Sequence, residues 1–131
     1  MRLVKAMLSA ALVAALSLVA VPATGATGSH VVDSYCSPSG DYCTQVVKKA
    51  DGTIVFGIRA FADYFGKATA CVTKVTRVCH STTARKDTHG LYLWNIRWQG
   101  NYPKEGPGQY KVRWSYAGGS PIGEALYFDR G

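Results

Sequence analysis

The sequence predicts an all-β protein, a seven-stranded antiparallel β-sandwich pinned by two hairpin disulfides. Three observations carry that prediction. Tyr92, Trp94, Ile96 and Trp98, and again Tyr110, Val112, Trp114 and Tyr116, recur at every second position, the period of a strand with one buried face. Turn residues interrupt the apolar runs at sandwich-like spacing, and nothing beyond the N-terminal segment keeps a helical period. All four cysteines lie after an export-type leader, in two local pairs. A small β-barrel is the alternative that the same strand count permits.

The leader is residues 1–26. Arg2 and Lys5 form its charged start, Ala6 to Val21 is an uncharged run of small and apolar residues, and Val21-Pro-Ala23, Ala23-Thr-Gly25 and Thr24-Gly-Ala26 offer small residues for cleavage. A retained membrane anchor competes with this reading, but the run is short for a span and a processing signal follows it directly. Cleavage leaves residues 27–131 as one secreted, extracellular domain with no membrane association. The leader carries two basic residues and no acid, so the net charge of +7 falls to +5 in the exported part. Such a charge favours anionic surroundings such as cell-envelope polymers, and speaks to solubility and encounter rather than to fold. It implies no specific nucleic-acid partner.

Cys36 and Cys43 bracket Ser-Pro-Ser-Gly-Asp-Tyr, and Cys71 and Cys79 bracket a second short loop. Three connectivities are possible; the pairing Cys36–Cys43 and Cys71–Cys79 closes short loops inside hairpins and is the one expected. On the chain-entropy model each such loop stabilises by about 2.5 kcal/mol. The spacings lack the tight ligand pairs of zinc sites, so neither metal nor cofactor is expected.

Taken in order, Thr27 to Ser34 is a loose lead-in or short edge strand, and Pro38-Ser-Gly40 is a turn. Tyr42 to Lys48 forms a strand, Ala50-Asp51-Gly52 a hairpin turn, and Thr53 to Phe61 the partner strand. After a turn at Gly66 come Ala68 to Thr73 and Thr76 to Thr82. The turn between them, Lys74 to Thr76, has neither glycine nor asparagine, and a Cys71–Cys79 bridge across it would compensate. Thr83 to His89 is polar and carries the chain from one sheet to the other. The two tryptophan strands follow, separated by a corner from Gln99 to Gly108. Gly118-Gly119 then turns the chain into a last strand, Ile122 to Phe128.

Gly108-Gln-Tyr110-Lys-Val112, ahead of Trp114, resembles the corner that opens strand F in immunoglobulin-like and fibronectin type III-like sandwiches. The resemblance implies that Tyr110 is a corner tyrosine whose hydroxyl returns to the backbone of the preceding loop, with Val112 facing the core. All four cysteines precede residue 80, so the inter-sheet disulfide of antibody domains has no counterpart. More broadly, CSPSGDYC, the second cysteine hairpin and the RW…P…EGPG.Y.VRW segment resemble a set of small secreted actinobacterial proteins, over a span from Tyr35 to Phe128. That similarity implies fold and location and no activity.

Candidate chemistry is sparse. His80-Ser81 and Asp87-Thr-His89 hold the ingredients of a serine or metal site, but they sit in or beside the polar connection without a G-x-S-x-G or H-E-x-x-H context. The acids are too scattered for a glycosidase pair. Tyr92, Trp94, Trp98, Trp114 and Tyr116 would make a sugar-stacking platform if exposed, yet their alternation with Asn95, Arg97, Lys111 and Arg113 assigns them to the core. Tyr102 and Tyr127 are expected at the surface. Arg97, Lys111 and Arg113 then project outward as a basic patch, although an immunoglobulin-like arrangement puts their two strands in different sheets. The functional expectation is a non-enzymatic binding or cell-surface module whose partner is an anionic cell-envelope polymer or an extracellular protein. An inhibitor of a secreted hydrolase, presenting Asn101–Gly108 or Ser37–Tyr42, is the alternative. A small hydrolase using the His80–His89 region comes third.

Overall fold

A computed structural model describes residues 28–131; the leader expected at residues 1–26 lies outside the described residues. In chain order the strands are β1 (His30–Cys36), β2 (Tyr42–Lys48), β3 (Ile54–Ala60), β4 (Ala68–Thr73), β5 (Arg77–Thr82), β6 (Arg85–Lys86), β7 (Tyr92–Arg97), β8 (Gly108–Tyr116) and β9 (Pro121–Arg130). They form two antiparallel sheets, a front sheet in the order β1-β2-β3-β7-β6 and a back sheet in the order β5-β4-β8-β9. No ladder joins one sheet to the other, so the described residues form a sandwich and not the closed barrel kept as the alternative.

Two of the nine strands go beyond the seven expected. The lead-in is a full seven-residue strand, β1, laddered to β2 from His30↔Lys48 to Cys36↔Cys43. Only Asp33 and Tyr35 on its inner side are half-buried, too few positions to mark the strand by alternation in the sequence. The Asp33 carboxylate accepts the Tyr127 amide at 2.8 Å and clips this front edge to β9. Within the polar connection, Arg85 and Lys86 pair with Leu93 and Tyr92 as β6, so the chain is already part of the front sheet there.

The inner faces supply the core. Trp94, Trp98 and Trp114 are all buried, with Val46, Phe56 and Ile58 from the front sheet and Val112, Leu126 and Phe128 from the back. Tyr110 stacks on Phe128 with centroids 5.1 Å apart, and Phe56 meets Phe128 across the sheets at 5.6 Å. Each large side chain removed from water contributes about 1.5–3 kcal/mol. Tyr102, expected at the surface, is instead 5 % exposed: its hydroxyl donates to the Ala70 carbonyl at 2.7 Å and its ring meets Phe56 edge-on. At the opposite end of the sandwich, Tyr116, assigned to the core, is 39 % exposed because it closes its strand, and Tyr92 is half-buried. Tyr127 is exposed.

Both disulfides have the expected pairing and join residues directly opposite in a ladder, Cys36↔Cys43 and Cys71↔Cys79. The turn at 74–76 has a further support that local turn chemistry does not show. The Glu105 carboxylate accepts the Val75 amide at 2.9 Å, the Thr76 amide at 3.1 Å and the Thr76 hydroxyl at 2.6 Å. Glu105 is in turn held by Tyr110, whose hydroxyl accepts the Glu105 amide at 2.8 Å and donates to the Gly106 carbonyl at 2.7 Å. One buried phenol thereby orders the long corner, and the corner orders the hairpin.

Candidate functional site

Side chains alternate across a sheet, so the residues between the core positions of β2, β3 and β7 form the outer front face. Their registers set three rows: Val47↔Val55↔Arg97, then Gln45↔Gly57↔Asn95, then Cys43↔Arg59↔Leu93 with Arg85 beside Leu93. In the middle row Gly57 has no side chain and is buried beneath the side chains on either side of it. A Cβ there would stand 3.0 Å from Asn95 Oδ1 and 3.7 Å from Gln45 Cγ.

Beside this row lies a shallow concavity of about 550 Å³ lined by Val47, Lys49, Val55, Arg85, Asn95, Arg97 and Asn101. A smaller one of about 160 Å³, lined by Thr82, Thr83, Arg85, Leu93 and Asn95, shares Arg85 and Asn95 with it. No carboxylate lines either. The cations come from three places in the fold: Lys49 from the turn that follows β2, Arg85 from β6 and Arg97 from the end of β7. Asn101 Nδ2 donates to the Arg97 carbonyl at 2.7 Å, fastening the chain after β7 back onto its own strand. Four residues of strand, roughly 13 Å, separate the Arg85 and Arg97 rows along the sheet. Guanidinium groups form forked hydrogen bonds with phosphate, sulfate or carboxylate, and amides add neutral donors and acceptors between them. The surface is therefore suited to an extended anion with charges at more than one point.

The fold separates the three residues of the expected basic patch. Arg97 faces out from the front sheet, whereas Lys111 and Arg113 lie on the outer back face, opposite Thr73 and Cys71. Arg113 is half-buried in the row of the Cys71–Cys79 bridge, with its Nε out of solvent and without a hydrogen-bond partner. Lys49 and Arg85, which join Arg97 on the front, have no sequence signal of their own. Arg85 sits in a stretch that reads as a connection, and only its pairing with Leu93 brings it to the site.

The His80–His89 groups are engaged locally. The Ser81 and Thr69 hydroxyls share a hydrogen bond at 2.7 Å, and the His80 ring meets Tyr102 edge-on at 5.0 Å, on the opposite side of β5 from Ser81. Asp87 Oδ1 accepts the amides of Leu91 at 2.9 Å and His89 at 2.8 Å. Those bonds, the Leu91 amide foremost, hold its carboxyl below the ordinary aspartate range. Among the described residues no three His, Cys, Asp or Glu side chains are grouped to hold a metal ion, and no helix is long and apolar enough to cross a membrane. Comparison with protein-family models, curated proteins and solved structures gave no match to the chain.

Proposed function

We propose that the protein is a secreted, non-enzymatic binding module that holds an anionic polymer of the cell envelope on the outer face of its front sheet. One observation carries this reading: Lys49, Arg85 and Arg97 converge on a single concavity that also offers the Asn95 and Asn101 amides and has no lining carboxylate. The exported charge of +5 favours the encounter. Two disulfides fit an oxidising compartment, and the leader motif supports secretion. Strand order supports an immunoglobulin-like arrangement, with β2-β3-β7-β6 in the places of A-B-E-D, β4-β8-β9 in those of C-F-G, and β1 and β5 as added edges.

A second reading, inhibition of a secreted hydrolase, is favoured by the fastening of the 98–107 corner through Asn101, Tyr102 and Glu105, since a loop ordered in advance loses little entropy on binding.

Immobilised long-chain polyphosphate tests the first reading. Residues 27–131 should be retained at low salt and released as salt approaches physiological strength, because each phosphate contact displaces a counterion. Replacing Arg85 and Arg97 together by Gln should weaken retention about tenfold or more, whereas Lys111→Gln with Arg113→Gln should change it by no more than about twofold. Equal losses in the two double variants would reject the front-face assignment, and salt-independent retention would reject the electrostatic mode.

A further inference from the structure

The front face does not end at its cationic rows. Arg59 and Cys43, in the same row as Leu93, also line a separate concavity of about 230 Å³ at the end of the sandwich where β2 begins and β3 ends. Its other walls include Asp41, Tyr42, Phe61 and Leu91. Phe61 is 67 % exposed although its amide is tied to the Asp41 carbonyl at 3.3 Å, so an aromatic side chain projects from an anchored piece of backbone. The volume lies below the roughly 300 Å³ at which pockets for drug-sized ligands begin, room for one ring and not for a longer segment.

We infer that this concavity is a second subsite of the same binding face and takes an uncharged sugar ring, so that the ligand is a glycopolymer carrying both acidic and neutral units. The inference rests on the polyanion reading above and adds the chemistry of its partner. An aromatic side chain covers the apolar face of a sugar and leaves the hydroxyls at the ring's edge free for polar partners. Asp41 accepts hydroxyl hydrogens and Arg59 donates to hydroxyl or ring oxygens, a pairing suited to a polyol. The Asp41 carboxylate also repels an acidic unit, whereas the concavity around Arg85 and Arg97 has no such group. Neutral and acidic units of one chain are thereby sorted to the two ends of the face.

Two probes separate charge from sugar: polyphosphate, which has no sugar, and hyaluronan oligosaccharides, in which glucuronate alternates with neutral N-acetylglucosamine. Calorimetric titration of residues 27–131 should show both binding. Phe61→Ala, an exposed change whose folding is checked by its melt, should weaken hyaluronan about five- to tenfold and alter polyphosphate by no more than about twofold. Arg85→Gln with Arg97→Gln should weaken both. If Phe61→Ala leaves hyaluronan binding unchanged, or weakens both probes equally, the sugar subsite is overturned while the polyanion reading stands. If the unmodified protein binds polyphosphate and not hyaluronan, the subsite is likewise overturned. Binding of neither probe overturns both.

Discussion

On the front sheet, Lys49, Arg85 and Arg97 surround a middle row centred on Gly57. On the back sheet, Arg77 and Lys111 lie beside a row filled by the Cys71–Cys79 bridge and Arg113. The back face also carries Asp129, two residues along β9 from the outward Tyr127 and so on the same side. Similar numbers of cations thus make different surfaces. The front has a recess without carboxylates in which charge and amides converge, and the back has a cross-link between its edge strand β5 and β4, an arginine partly withdrawn from water and an acid nearby. What lies among the cations, amides on the front and a bridge with an acid nearby on the back, distinguishes the faces more than the charge count does.

Mutations on β8 test most severely whether the outer faces are separable from the core between them. Tyr110→Ala empties a core position and should destabilise by about 3–5 kcal/mol. Tyr110→Phe keeps the ring and loses the bonds to Gly106 and Glu105, costing about 1–3 kcal/mol. Lys111→Gln, one residue further on and fully outward, should lie within about 0.5 kcal/mol of the unmodified protein. Denaturant melts of the three variants check this order. A Tyr110→Ala protein that melts with the unmodified one would break the assignment of Tyr110 as the pillar of the corner.

A smaller effect is expected from the cross-link. Removing the back bridge by Cys71→Ala with Cys79→Ala should cost about 2.5 kcal/mol. Binding of polyphosphate by the folded protein should stay unchanged, since the bridge belongs to the other sheet. Loss of that binding at a temperature where the variant is folded would show that the faces are coupled.

Gly57→Ala sharpens the contrast at still lower cost to stability. Its backbone is not in the left-handed region, and glycine within a strand is itself unfavourable by about 0.5–1 kcal/mol, so the net change in stability should be within about 1 kcal/mol. The added methyl presses on Asn95, whose amide lines the recess, and displacing that amide should lower polyphosphate affinity several-fold. Unaltered affinity would mean that the recess is not where the polymer lies.

The least expected effect is the response to acid. The Thr76 hydroxyl, followed by the Val75 and Thr76 amides, holds the Glu105 carboxyl below the ordinary glutamate range. A carboxylate whose folded pKa is depressed stabilises the fold above its unfolded pKa, and that contribution is lost as pH falls through the lower folded value. Melting temperature should therefore drop on acidification below about pH 4, and Glu105→Gln should flatten that part of the profile. A profile identical in both proteins would remove Glu105 as the clamp of the 74–76 turn.

What could be read from the sequence follows from how local each signal is. The tryptophan strands were legible because burial on one face imposes a period of two, and the disulfides because each closes a loop within one hairpin. β1 was only half legible, since an edge strand with two half-buried positions, Asp33 and Tyr35, gives too short an alternation to read. Tyr102 lies in a corner without any period, and its partners Ala70 and Phe56 are distant in sequence. The Glu105 clamp acts across 29 residues, beyond the reach of any turn rule. The cationic cluster of the front face was the least legible part, because Lys49, Arg85 and Arg97 meet only through the pairing of β2, β3, β6 and β7.

Backbone amide chemical shifts of residues 27–131, followed during titration with polyphosphate, test the front-face assignment most directly. Shifts should concentrate on Lys49, Gly57, Arg85, Asn95 and Arg97 and spare Cys71, Lys111 and Arg113. Perturbations centred on the back sheet, or spread evenly over both faces, would contradict it.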